Sequence, residues 1–222
     1  WYTDDIRDAF DVSSHIVPEL TGNKELQRLT MAMAAILSGG NNVITNWSFT
    51  LDALPVYLKT GAIPPVNPIT GEVYGKQGQI IKDQLVALNR MLDTMGQRGV
   101  VRWLFGLHKG RELNAMRKET GFKSGATGTK LDELYLGARM FGPKKGEFAV
   151  NATTGKQRGR PTKDIWVARN YARLFGILTK PGHGFSMDMD KAGAHAAAAP
   201  TTVPLREAID SWMDKISNKI GL

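Results

Sequence analysis

Apolar residues recur along this chain at intervals of three and four, the mark of helices that bury one face. Leu26, Leu29, Met33, Ile36 and Leu37 follow that period and stop at Gly39-Gly40. Asn46 to Leu58 predicts a second apolar helix (Trp47, Leu51, Leu54, Leu58), kinked at Pro55. Ile81, Leu85, Leu88, Leu92 and Met95 lie on a single helical face, and Val100 to Leu107, apolar apart from Arg102, is expected to be buried. Leu131, Leu134, Ala138 and Phe141 predict a further helix, and Ile165, Ala168, Ala172 and Phe175 another. Asp4 to Phe10 opens with acids in its first turn, as a helix start prefers. Leu205, Ile209, Trp212, Ile216 and Ile220 predict a closing helix over 204–220, with Pro204 near its first turn. No stretch alternates convincingly with period two. The expected fold is therefore an all-α helical bundle, in a single domain over 1–222 without internal repeats. Three loops interrupt it: Gly61 to Gln79, read as an insertion; Thr120 to Thr129, Gly-rich and basic; and 176–203, expected to be flexible.

Composition narrows the functional classes. The 222 residues include no cysteine, which excludes disulfides and thiolate-held metals or clusters. No apolar run approaches the roughly 20 residues of a membrane span. The chain begins at Trp1 rather than Met, so a piece of a longer polypeptide or a processed product is expected. Formal net charge is +8 and unevenly placed. Arg139 to Arg173 holds nine basic residues against Glu147 and Asp164, and Arg98 to Lys118 holds six against Glu112. Charge concentrated in this way suits a polyanion, and nucleic acid is the polyanion expected.

The denser basic segment contains Phe141-Gly142-Pro143-Lys144-Lys145-Gly146, and twenty residues after Lys144 comes Asp164-Ile165-Trp166-Val167-Ala168-Arg169. A Gly-Pro-Lys turn between two helices can grip a sugar–phosphate chain. The first N–H groups of the second helix lack partners and, with its dipole, attract a phosphate. Gly142 permits close backbone approach, and Pro143 sits where an N–H would be unpaired anyway. Such a turn contacts the backbone of DNA without reading its sequence.

These residues resemble the helix-hairpin-helix DNA glycosylase superfamily, the endonuclease III-like base-excision enzymes. Gly142-Pro143-Lys144 is similar to the family's Gly-x-Lys hairpin, and Asp164 to Arg169 to its Asp-Thr-His-Val-x-Arg signature with the Thr-His pair replaced. Ala34-Ala35-Ile36-Leu37-Ser38-Gly39-Gly40-Asn41-Asn42-Val43 resembles the end of the family's early helix, whose loop fills the gap left by a flipped base. The Gln of that loop is Gly here, which leaves Asn41 or Asn42 as the gap-filling residue. The combination also resembles domains of very large phage-encoded proteins, which implies a bacterial host cytoplasm or a phage virion as the location.

The resemblance implies an N-glycosylase and abasic-site lyase acting on a flipped nucleotide of double-stranded DNA. Lys144 is then the nucleophile, its amine kept neutral beside Lys145 and Arg169, and Asp164 stabilises charge on the sugar. No cofactor and no metal is called for. Gly142, Pro143, Lys145, Gly146, Lys163 and Arg169 would hold the DNA backbone, while Trp166 and Tyr135 could stack on the base. Arg158-Gly159-Arg160-Pro161 resembles the core of an AT-hook, with Arg158 and Arg160 in a narrow minor groove. Plainer roles fit the same residues: both lysines contacting phosphate or water, and Asp164 capping its helix. Two other functions therefore stay open. One is a non-catalytic DNA-binding module of a phage virion or ejected protein; the other is a structural protein whose basic surface meets an acidic partner. His183, Asp188, Asp190 and His195 have no metal-ligand spacing and are set aside.

Overall fold

A computed structural model of the chain describes residues 2–41, 43–126, 128–154 and Ser211. The elements run α1 (Tyr2–Ile16), a 3₁₀ turn (Pro18–Leu20), α2 (Lys24–Leu37), α3 (Val43–Thr60), α4 (Gly78–Leu104), β1 (Leu107–Lys109), α5 (Gly110–Glu119), β2 (Leu134–Leu136), a second 3₁₀ turn (Gly137–Phe141) and α6 (Pro143–Thr154). The class is all-α. Backbone contacts divide the chain into two units, Trp1–Gly159 and Arg160–Leu222, and all of these elements belong to the first. The expected helices around 165–175 and 204–220 and the loop at 176–203 lie outside the described residues, apart from the exposed helical residue Ser211.

Helix α2 is the axis of this unit. Asn23 starts it, its side-chain oxygen accepting from Leu26 N at 3.0 Å. From Leu29 to Leu37 every residue is buried, because α3, α4 and α6 all pack against it. Ala32, Ala34 and Ala35 are the small positions among those neighbours. The sequence period marks one apolar face; the packing covers the others as well.

Helix α4 joins two segments that the residue pattern separates. They meet at Gly96, whose φ of +65° breaks the helical course. An added Cβ there would meet nothing within 4 Å, so the glycine is required by its backbone angle alone. Pro55 is held inside α3. The loop read as an insertion contributes to the core: Ile63 and Tyr74 are fully buried. Asn89 clasps the backbone of Ile63, accepting from its N–H at 2.8 Å and donating to its carbonyl at 2.7 Å.

The residue pattern misses α5 and the two-stranded ribbon. β1 and β2 pair antiparallel with Leu107 opposite Leu136, His108 opposite Tyr135 and Lys109 opposite Leu134. The helix expected to run from Leu131 to Phe141 is instead β2 followed by a 3₁₀ turn. Tertiary contacts override the local period here. Gly137 sits so close to Trp103 that any Cβ would collide with the Trp103 carbonyl, and its N–H donates to Gly106 O at 2.9 Å.

Candidate nucleic-acid interface

Gly142 lies between the second 3₁₀ turn and α6 with a φ of +116°, a region closed to most side chains. Its N–H donates to Arg139 O at 2.9 Å, and its carbonyl accepts the first bond of α6 from Gly146 N at 3.0 Å. Space above Gly142 is open, since a Cβ would meet nothing within 4 Å. Gly146 is a glycine for the opposite reason. A Cβ there would stand 2.5 Å from Arg139 Cα and 2.7 Å from the Ala138 carbonyl carbon, so it lets α6 lie directly on the preceding turn.

Three buried side chains fix that turn from below. Arg117 donates to Met140 O through Nη1 and to Ser124 O through Nε at 2.8 Å. Gln84 donates to Phe141 O at 2.8 Å. Arg139 pairs with Glu147 at 2.9 Å, both side chains almost wholly buried, and donates to Gly128 O at 2.9 Å. Two of the cations counted in the basic segments, Arg117 and Arg139, are therefore interior supports rather than surface charge.

Pro143 opens α6, followed by Lys144 and Lys145 with no acid in the first turn. The two lysines point differently. Lys144 is exposed. Lys145 is turned inward, its Nζ donating to Ile36 O at 2.8 Å and to Gln84 Oε1 at 2.6 Å. Burial, and then the charge of Lys144, lower the Lys145 pKa from 10.5 to about 7. Ile36 belongs to the last turn of α2, so the amine meets a carbonyl that a helix end leaves without an intrahelical partner.

The early loop reaches the same place. A Cβ on Gly39 would lie 3.2 Å from Lys145 Nζ and 2.9 Å from Gln77 Oε1. Asn41 donates to Leu37 O at 2.8 Å and packs on Gly75. Two motifs about a hundred residues apart, the end of α2 and the start of α6, thus share one junction, with the segment before α4 as its third side.

Of the other expected site residues, Tyr135 is only 7% exposed, its ring faced by Arg139 at 4.8 Å and its hydroxyl donating to Glu133 at 2.7 Å. A base has little of that ring to stack on. Asn42, Arg158, Arg160, Lys163, Asp164, Trp166 and Arg169 lie outside the described residues. Residue reasoning overlooked Gln84, although a polar side chain three residues after Ile81 and four before Leu88, on an apolar helical face, signals a buried partner. It also overlooked Lys123, exposed in the loop that Phe122 holds against Phe141 at 6.4 Å. Among the described residues no group of acids and histidines could hold a metal, and no helix is long and apolar enough to cross a membrane. Comparison with protein-family models, curated proteins and solved structures finds no match to the chain.

Proposed function

We propose that the chain is a DNA-binding domain that seats a backbone phosphate at the Gly142-Pro143-Lys144 turn and acts on an extruded nucleotide as an N-glycosylase and abasic-site lyase. The supporting observation is the exposed Lys144 at the start of α6, in a first turn that carries no acid where a helix favours acids. For the protein alone, a cation at this end costs about 0.3–1 kcal/mol. A phosphate at the turn reverses that balance, with unpaired helix amides, the dipole and the exposed Lys144 all directed at it.

In the chemical step, Lys144 Nζ bonds to the sugar C1′ as the bond from C1′ to the base breaks. The amine gives up two protons, one to the departing base, which keeps that electron pair, and one to the ring oxygen as the C1′–O4′ bond breaks, and the imine that remains takes up a proton from water. Removal of a proton from C2′ then expels the 3′ phosphate. Asp164, assigned from its place in the sequence, stabilises the positive charge that develops on the sugar.

Binding to a labelled duplex is expected to weaken with salt at a slope near −0.9 per phosphate contacted, and Lys144→Ala should reduce the slope by about one such unit. Borohydride should trap a covalent adduct on abasic duplex with the natural chain and none with Lys144→Ala. Salt-sensitive binding without an adduct would remove the catalytic step and leave a DNA-binding module. Failure to bind any duplex at low salt would remove both, in favour of an acidic protein partner.

A further inference from the structure

We propose that Arg28, Arg98 and Arg102 form a second phosphate-binding face, on α2 and the end of α4, which holds the DNA backbone without reading its sequence. This rests on the DNA partner proposed above and adds a contact surface that does not use the turn before α6. Six cations lie between Arg98 and Lys118 in the sequence, and the fold divides them. Arg117 is held inside, and Arg111 is paired with Asp132. Arg98 and Arg102 are turned to solvent beside α2.

Two contacts between α2 and α4 bring the three arginines together. Arg98 Nε lies 3.6 Å from Glu25 Oε1. Three residues further along α2, the Arg28 guanidinium stands over the ring of Phe105, the residue that ends α4, at 5.9 Å from its centroid. Arg102 lies between these contacts, four residues after Arg98 and three before Phe105, spacings that put all three on one side of the helix. The Arg98–Glu25 pair neutralises little, since its side chains are 77% and 47% exposed and water screens them. Among the described residues neither Arg28 nor Arg102 is paired with an acid, and both are exposed.

The charge balance identifies the occupant. Residues 20–31 and 94–108 hold Lys24, Arg28, Arg98 and Arg102 against Glu25 alone. The next acids along the chain, Glu19 and Asp93, are set apart by Gly22 and Gly96, where positive φ turns the backbone. Arg98 and Arg102 stand one helical turn apart, about 6 Å. Duplex DNA carries a charge for roughly every 1.7 Å of its axis, so each guanidinium can meet its own phosphate. Guanidinium offers phosphate two parallel N–H donors, and the Phe105 ring steadies that of Arg28. Arg28 comes eight residues before Ile36, whose carbonyl meets Lys145, so the cluster stands about 12 Å along α2 from that junction and is a separate contact.

The test uses the full chain and a labelled duplex, titrated between about 50 and 200 mM salt. Arg28→Gln/Arg102→Gln removes two phosphate contacts, so the slope of log affinity on log salt should become shallower by about 1.8, and the affinity lost over that range should shrink about tenfold. Arg28→Lys/Arg102→Lys keeps the charge and should keep the slope. Lys118→Gln, which removes an exposed cation of the same sequence segment on α5, should leave the slope unchanged. Thermal melts check that each variant folds. A Gln pair with the natural slope overturns the face, and the DNA reading survives if Lys144→Ala still makes the slope shallower. Loss of slope in the Lys pair, or a comparable loss per charge in Lys118→Gln, also overturns it, by assigning the effect to packing or to total charge. Absence of binding to every duplex at low salt removes both readings.

Discussion

Among the described residues no carboxylate meets the Lys145 amine; its partners are a backbone carbonyl and the neutral Gln84, with Gln77 and Ile81 alongside. Its pKa falls from 10.5 to about 7 because burial, then Lys144, disfavour the charge. The direction of the pH effect follows. Below about pH 7 both folded and unfolded chains carry the proton, and the fold bears the cost of a buried charge. Between pH 7 and 10.5 the unfolded chain binds more protons, so stability rises with pH. The contribution approaches about 1.4 kcal/mol per pH unit. Urea melts from pH 6 to about 9.5 should show this rise in the natural chain and a flatter profile in Lys145→Met. Parallel profiles would mean that the amine stays protonated against Ile36 O. Lys145→Met also leaves Gln84 Oε1 without its donor, a loss of about 1–3 kcal/mol that does not vary with pH.

At the level of elements, glycines decide where helices bend and how closely they meet. Gly96→Ala should cost about 1–3 kcal/mol, since φ +65° combined with ψ 171° is a backbone region essentially confined to glycine, and Gly96→Asn should cost as much. Gly146→Ala should cost about 1–3 kcal/mol by a different route, as the new methyl pushes α6 off the Ala138–Arg139 backbone. If the turn before α6 seats DNA, as proposed, Gly146→Ala lowers affinity as well, whereas Gly96→Ala leaves it unchanged. Thermal melts with parallel binding titrations check both. Equal loss of affinity in the two variants would show that general destabilisation, not the turn, controls binding.

For the molecule as a whole, the buried Arg139–Glu147 pair joins the turn before α6 to α6 itself. Removing one partner of a buried pair costs about 3–5 kcal/mol, because the other charge remains inside. Arg139→Met alone should therefore approach that loss, and Arg139→Met with Glu147→Met should recover much of it. A double variant no more stable than the single one would assign the loss to Arg139's other contacts, with Gly128 and the Tyr135 ring. The internal use of Arg139, Arg117 and Lys145 also changes the molecule's field. The positive charge exposed near the turn before α6 is smaller than the count along the chain, because Arg117, Arg139 and Lys145 are held inside while Lys144 is exposed.

The helical class, α2, α3 and the two parts of α4 were legible in the residues, because an apolar stripe repeating every three or four positions has one economical conformation. Of the expected turn between two helices only the second half was legible: Gly142 admits a positive φ and Pro143 suits the first position of α6, while the element before them is a 3₁₀ turn. Other features were not. Leu131 to Phe141 carries a helical period yet forms strand and 3₁₀ turn, because Gly137 seats against Trp103 and β2 finds its partner in β1. Lys144 and Lys145 are alike in sequence, and only the position of Ile36 and Gln84 turns one outward and the other in. Periodicity and turn chemistry act between near neighbours and are written in the chain. Register, burial of a charge and the meeting of α2 with α6 depend on residues about a hundred positions apart, and packing alone brings those together.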